Sequence, residues 1–347
     1  MQKRIIMVAF LCLVLVGCNN EVQSDIKTHV SDTTMQASSP DKPAAADSEL
    51  TAVNKSDLYG IAYNGNNLYV AVGSKGKILT STDGVGWTNS QSGTNKTLQS
   101  VTWGREQFVA VGDEGIILTS KDGINWIPVN SVINASFLKV KWTGSMYIAV
   151  GNGRILTSSD GEVWTEKKVP VLRINNVSDD KIPYNISDVL WDGMQYIATG
   201  GGNFILTSTN LDNWVVRVPD SRGTGMFCNL AWTGKRYVAV GDHLAMITSL
   251  GGHSWTNEGV RINKIESVDD SYTLCLNSVI WGQDKFIVVG QRGLILASTN
   301  GLNWEVIPND SSPSLNQILG DGKKYIAVGA SETIITSVDG AKWASAL

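Results

Sequence analysis

The chain has 347 residues, with 28 Lys plus Arg against 32 Asp plus Glu and a formal charge of −4. No basic block interrupts that balance, which excludes a nucleic-acid partner. Once the leader and tether described below are set aside, about 290 residues remain, too many for one simple core and suited to a modular one.

The chain opens with Lys3 and Arg4, then an apolar run from Ile5 to Val16 that is too short and wrongly flanked for a stable membrane-spanning helix. The run ends Leu15-Val16-Gly17-Cys18, which resembles the lipobox of bacterial lipoproteins. That resemblance implies a signal peptide over residues 1–17, cleavage before Cys18 and acylation (palmitate among the chains) of its thiol. The mature chain would be anchored to the bacterial cell membrane on its extracytoplasmic side. Loss of Lys3 and Arg4 takes 28 basic residues to 26 against 32 acidic ones, a balance of −6. Residues 18–56 are small, polar and aperiodic, and read as a disordered tether that holds a folded domain off the bilayer. Only Leu50-Thr51-Ala52-Val53 looks strand-like, as a candidate edge strand.

From residue 57 to 347 one pattern is written seven times. The second copy, LQSVTWGREQFVAVGDEGIILTSKDGINW from Leu98 to Trp126, has three short β-branched runs, a turn, and a tryptophan that opens a fourth run. The closing tryptophans are Trp87, Trp126, Trp164, Trp214, Trp255, Trp304 and Trp343, spaced 39, 38, 50, 41, 49 and 39 residues apart. A period near 40 with four strand-like runs predicts an all-β, seven-bladed β-propeller of four-stranded antiparallel blades. Ring closure removes the exposed sheet edges of an open array. In blade two the innermost strand is expected at SVTW, the second at QFVAV, the third at IILTS and the outermost after Trp126. Gly112 and Gly115 bracket the second turn, where positive φ or close backbone approach is expected.

The turn Ser120-Lys121-Asp122-Gly123-Ile124-Asn125-Trp126 is repeated at Ser81–Trp87, Ser158–Trp164 and Ser337–Trp343, with Asn300 for the acid at Ser298–Trp304. Ser208–Trp214 and Ser249–Trp255 depart from it through Asn210-Leu211 and Gly251-Gly252. The pattern resembles the Asp-box, shortened by one residue, and the repeats over residues 58–346 look like BNR/Asp-box propellers. Within them the chain is most similar to the photosystem II stability/assembly-factor-like group. The resemblance implies that Asp83, Asp122, Asp160, Asn300 and Asp339 are structural: each accepts backbone N–H groups across its turn, while the tryptophan packs between blades. It specifies a fold far better than a function, because such blades serve hydrolases, receptors and assembly factors.

No catalytic or metal constellation stands out, and no cofactor is expected. Trp103, Trp142, Trp191, Trp232 and Trp281 share one inner-strand position and read as core. His29, His243 and His253 have no ligand spacing. Arg154, Arg173, Arg222, Arg261 and Arg292 lie in expected loops, but the N-terminal arginine motif of sialidases is missing. Two connections are about ten residues longer than the others and share a pattern: Arg173-Ile174-Asn175 with Asp179, Asp180 and Tyr184 after blade three, and Arg261-Ile262-Asn263 with Asp269, Asp270 and Tyr272 after blade five. Both are expected on one rim flanking blades four and five. With Arg222 they form the candidate binding rim. Cys228 and Cys275 could bridge in an oxidising compartment, although their offsets from Trp232 and Trp281 differ by two residues. The expected function is a non-enzymatic, membrane-anchored binding or assembly lipoprotein that presents a propeller face to an envelope protein or a glycan. The alternative is an Asp-box glycoside hydrolase acting on extracellular glycans, with Asp179 or Asp269 and Glu266 as its acids.

Overall fold

The structure, a computed structural model, describes residues 55–131, 133–169, 171–173, 181–183, 185–220, 226–263, 274–310 and 313–346. The described residues form seven antiparallel blades and short 3-10 turns, with no α-helix and hence no helix able to cross a membrane. Blade one runs Leu58–Tyr63, Tyr69–Gly73, Ile78–Ser81 and Thr88–Ser90 from the centre outwards. Blade two repeats it at Leu98–Gly104, Gln107–Gly112, Ile117–Ser120 and Ile127–Val129.

Local sequence explains these roles. The second strand of a blade is flanked by strands on both sides and covered by neighbouring blades on both faces. YVAVG in blade one and QFVAVG in blade two are therefore buried at every residue, and read as continuous apolar runs rather than alternating ones. The outermost strands, such as Thr88–Ser90 and Thr165–Lys167, are short, polar and exposed. At the second turn Gly115 has φ +73°, and a Cβ there would overlap the Ile133 carbonyl; Gly112 is extended, but a Cβ on it would overlap the Thr97 carbonyl.

The core is divided into seven clusters, one between each pair of neighbouring blades. Val70, Phe108 and Leu118 join blades one and two, and Ile148, Val189 and Leu206 join three and four. Leu58, Ile326 and Val328 join blade seven to blade one. Each fully buried Val, Leu, Ile or Phe contributes roughly 1.5–3 kcal/mol. Among the described residues no strand is exchanged across the junction of blades seven and one; side chains close the ring together with a backbone bond from the Glu332 N–H to the Ser56 carbonyl at 2.8 Å. Asn316 Nδ2 donates to the Leu58 carbonyl at 2.9 Å, and Lys77 pairs with Glu332 at 2.8 Å. Tyr69 donates its hydroxyl to Asp321, as Tyr237 does to Asp192 and Tyr147 to the Gly104 carbonyl in other blades.

Two blades depart from four strands. Blade five keeps three, Phe227–Trp232, Tyr237–Gly241 and Met246–Ser249, and its outer strand is reduced to a bridge between Thr248 and Thr256. Blade six has five, because Arg261–Asn263 adds a parallel strand outside Asn303–Val306. That strand seals Trp304, which has no exposed surface. The insert after blade three instead folds as a separate hairpin, Val171–Arg173 with Lys181–Pro183. The two similar inserts thus do not share one setting: the described part of the second lies on the outer edge of blade six rather than flanking blades four and five.

Candidate functional site

The repeated turns hold their acids in local work. Asp83 Oδ1 accepts the N–H groups of Val85 and Gly86, both at 2.8 Å, and Ser81 Oγ accepts the Gly84 N–H at 2.8 Å. Asp122, Asp160, Asn300 and Asp339 repeat this geometry. These backbone donors hold the carboxyls of Asp83, Asp122, Asp160 and Asp339 below the usual carboxylate range. The turn in blade four, divergent in sequence, keeps the geometry as well, with Asn210 as acceptor and Leu211 in the glycine position at φ +65°. Trp87, Trp126, Trp164, Trp214 and Trp343 pack against the inter-blade clusters, and Trp255 and Trp304 are buried within them.

Of the candidate rim residues, Arg261 and Asn263 are exposed on the outer edge of blade six, and Arg173 pairs with Lys181 in the hairpin. Asn175, Asp179, Asp180, Tyr184, Arg222, Asp269, Asp270 and Tyr272 lie outside the described residues, as does Cys18. Cys228 and Cys275 are not bridged. The reason is register: Phe227 pairs with Gly241 as Leu276 pairs with Gly290, so Cys228 corresponds to Asn277, and Cys275 precedes its strand. Cys275 is held there by Gln291, whose Oε1 accepts the Cys275 N–H and whose N–H donates to the Cys275 carbonyl, both at 3.0 Å. Among the described residues no group of His, Cys, Asp and Glu could hold a metal ion.

The site that the structure assembles is in the channel wall. The inner-strand residue paired opposite the one before the second strand's closing glycine is Gly60, Ser100, Lys139, Asp188, Asn229, Ser278 and Gln317 in blades one to seven. Where this side chain is a short acceptor, it receives an N–H from the inner strand of the next blade. Ser100 Oγ takes Val140 N at 3.2 Å, Asn229 Oδ1 takes Val279 N at 2.8 Å, and Ser278 Oγ takes Ile318 N at 3.5 Å. The belt satisfies backbone donors on inner-strand edges that no other strand covers.

Blades three and four break this neutral pattern. Asp188, with a side chain of 0% exposure, receives Lys141 Nζ at 2.7 Å, Asn229 Nδ2 at 2.6 Å, Leu230 N at 3.1 Å and its neighbour Val189 N at 2.9 Å. Lys139 is half-buried, and its amine makes no hydrogen bond or ion pair among the described residues. Burial pushes that amine below the usual lysine range, and Lys141 adds to the effect, while Asp188 and Cys228 oppose it. Its electrostatic neighbours thus come from blades three, four and five. Three buried polar atoms of blade four, Asn185 Oδ1, Ser187 Oγ and Thr199 Oγ1, also have no hydrogen-bond partner among the described residues. Beside the ion pair, a cavity of about 160 Å³ is lined by Lys141, Trp142, Thr143, Ile148, Val189, Leu190 and Trp191. The signal for this wall in the sequence is that Lys139 of KVKW and Asp188 of DVLW put charges where the other blades carry Gly, Ser, Asn or Gln, and Lys141 puts one where they carry Ala, Thr, Leu or Ile.

A seven-bladed propeller with a polar, charged channel wall is the class defined by this geometry. A family model described as the DUF6242 beta propeller domain matches residues 46–178. No curated protein matches the chain. Among solved structures, YCF48 bound to D1 peptide is similar with TM-score 0.63 and 14% identity, over 82% of this chain and 93% of that one. YCF48 from Cyanidioschyzon merolae gives TM-score 0.62 and 17% identity, over 83% and 97%. The WD40 beta propeller domain of Doa1 gives 0.61 and 12%, over 81% and 93%. At these identities the likeness is one of fold.

Proposed function

We propose that the protein is a non-enzymatic binding or assembly factor, anchored by an acylated Cys18 to the extracytoplasmic side of a bacterial membrane, whose propeller holds an envelope protein. The observation that carries the reading is the channel wall, where the charges of Lys139, Lys141 and Asp188 occupy positions that neutral side chains fill elsewhere in the same ring. A buried ion pair costs desolvation that a serine or asparagine belt avoids, so ring closure alone does not call for it. The likeness to a propeller solved with a bound peptide supports a protein partner over a glycan.

The test has two parts. Cys18→Ala should release the full-length chain from membranes and abolish its labelling by a palmitate analogue. In-cell cross-linking of the anchored chain should then capture a partner that Lys139→Met or an Arg261→Ala/Asn263→Ala double variant fails to capture. No specific partner, together with turnover of an extracellular glycan by the purified chain, would overturn the reading in favour of a glycoside hydrolase.

A further inference from the structure

We propose that the channel wall of blades three to five is a carboxylate-binding site in which Lys139 is the residue that engages the anion. This deepens the binding role proposed above by naming the chemistry of the group that is bound.

The wall holds two ammonium groups and one carboxylate. Asp188 is already saturated: both of its oxygens receive Lys141, and Asn229, Leu230 and Val189 complete them. It therefore has no lone pair left for a second ammonium, and the Lys139 amine stands without an acceptor among the described residues. Among the described residues the ionisable groups around that amine are Asp188, Lys141 and Cys228, and no other carboxylate balances it. A partly enclosed, uncompensated cation is destabilising for the unliganded ring, and a position filled elsewhere by Ser or Asn does not need one. One monoanion restores neutrality. A carboxylate fits better than a phosphate dianion, which would need further cations, and no arginine is among the amine's electrostatic neighbours. The carboxylate can belong to a small free acid or to an acidic side chain of a partner protein.

The experiment follows the thermal midpoint of the full-length chain in detergent, with sodium acetate, sodium succinate and a hexaglutamate peptide as probes against sodium chloride of equal ionic strength. Wild type should rise saturably, by about 2–4 °C, with at least one carboxylate probe. Lys139→Met without ligand should be more stable than wild type and should lose the response, whereas Lys139→Arg should retain it. Lys139→Gln, polar and of similar reach, provides the uncharged variant if Lys139→Met misfolds. Response to the peptide alone assigns the site to an acidic segment of a partner; response to acetate or succinate shows that a free acid suffices. An unchanged response in both uncharged variants, or no saturable response in wild type, overturns the proposal. A carboxylate response without any cross-linked partner would retain this site and remove the partner reading, so the two fail separately.

Discussion

The two sides of the channel wall close the same ring with different chemistry. From blade five to blade one the ties made by the inner strands are neutral: Asn229 bonds Ser278 and Val279, Asn277 Nδ2 donates to the Leu315 carbonyl at 2.9 Å, and Asn316 Nδ2 donates to the Leu58 carbonyl at 2.9 Å, while the Lys77–Glu332 ion pair lies out at the turns between second and third strands. In blades three and four, Lys139, Lys141 and Asp188 stand at comparable depth, and one carboxylate gathers donors from three blades. The neutral side shows what closure requires. The excess charge on the other side is the part that a scaffold alone does not explain, and we assign function there for that reason.

The strongest way to break the comparison is Asp188→Ala. It strands Lys141, the Asn229 amide and the Leu230 N–H, and should cost about 3–5 kcal/mol in urea unfolding; a loss below about 1 kcal/mol would mean that the charged wall is solvated like a surface pair. Asn229→Ala sits where the two sides meet, since its amide donates to Asp188 and its carbonyl accepts from Val279. It should cost about 2–3 kcal/mol, less than Asp188→Ala, because only neutral groups and one carboxylate bond are orphaned. Asn316→Ala removes a single tie at the closing junction and should cost about 1 kcal/mol. If instead it approaches the Asp188 value, closure without strand exchange leans on that bond more than on the packing of Leu58, Ile326 and Val328.

The smallest effect should be the same on both sides. Burial pushes the hydroxyls of Tyr147 in blade three and Tyr325 in blade seven up to about 12 from the ordinary value of 10. Each donates to the end of the inner strand of the preceding blade, Tyr147 to the Gly104 carbonyl and Tyr325 to the Gly282 carbonyl at 2.5 Å. A raised folded-state value favours the protonated form, so this stability is complete below pH 10 and falls away as pH rises towards 12. Tyr147→Phe and Tyr325→Phe should each flatten the alkaline limb of a stability-against-pH curve by similar amounts. A response confined to Tyr147 would tie the alkaline transition to the charged wall instead.

The sequence by itself determined the seven blades. Second strands such as YVAVG are buried on both faces and so announce themselves as apolar runs. The Ser81-to-Trp87 type of turn is specified by side chains that bond their own backbone within three residues. Those are local signals, readable without knowing what packs where. Tertiary structure alone decided the rest. Whether Arg261–Asn263 stands on a rim or seals Trp304 as a fifth strand depends on the outer edge of a different blade. Whether Cys228 meets Cys275 depends on a two-position register difference between neighbouring strands. The grouping of Lys139, Lys141, Asp188 and Asn229 arises because residues up to 90 positions apart (139 to 229) share one level of a closed ring. Periodicity specifies the ring, but a charged cluster built across three repeats appears only once the ring has brought their inner strands side by side.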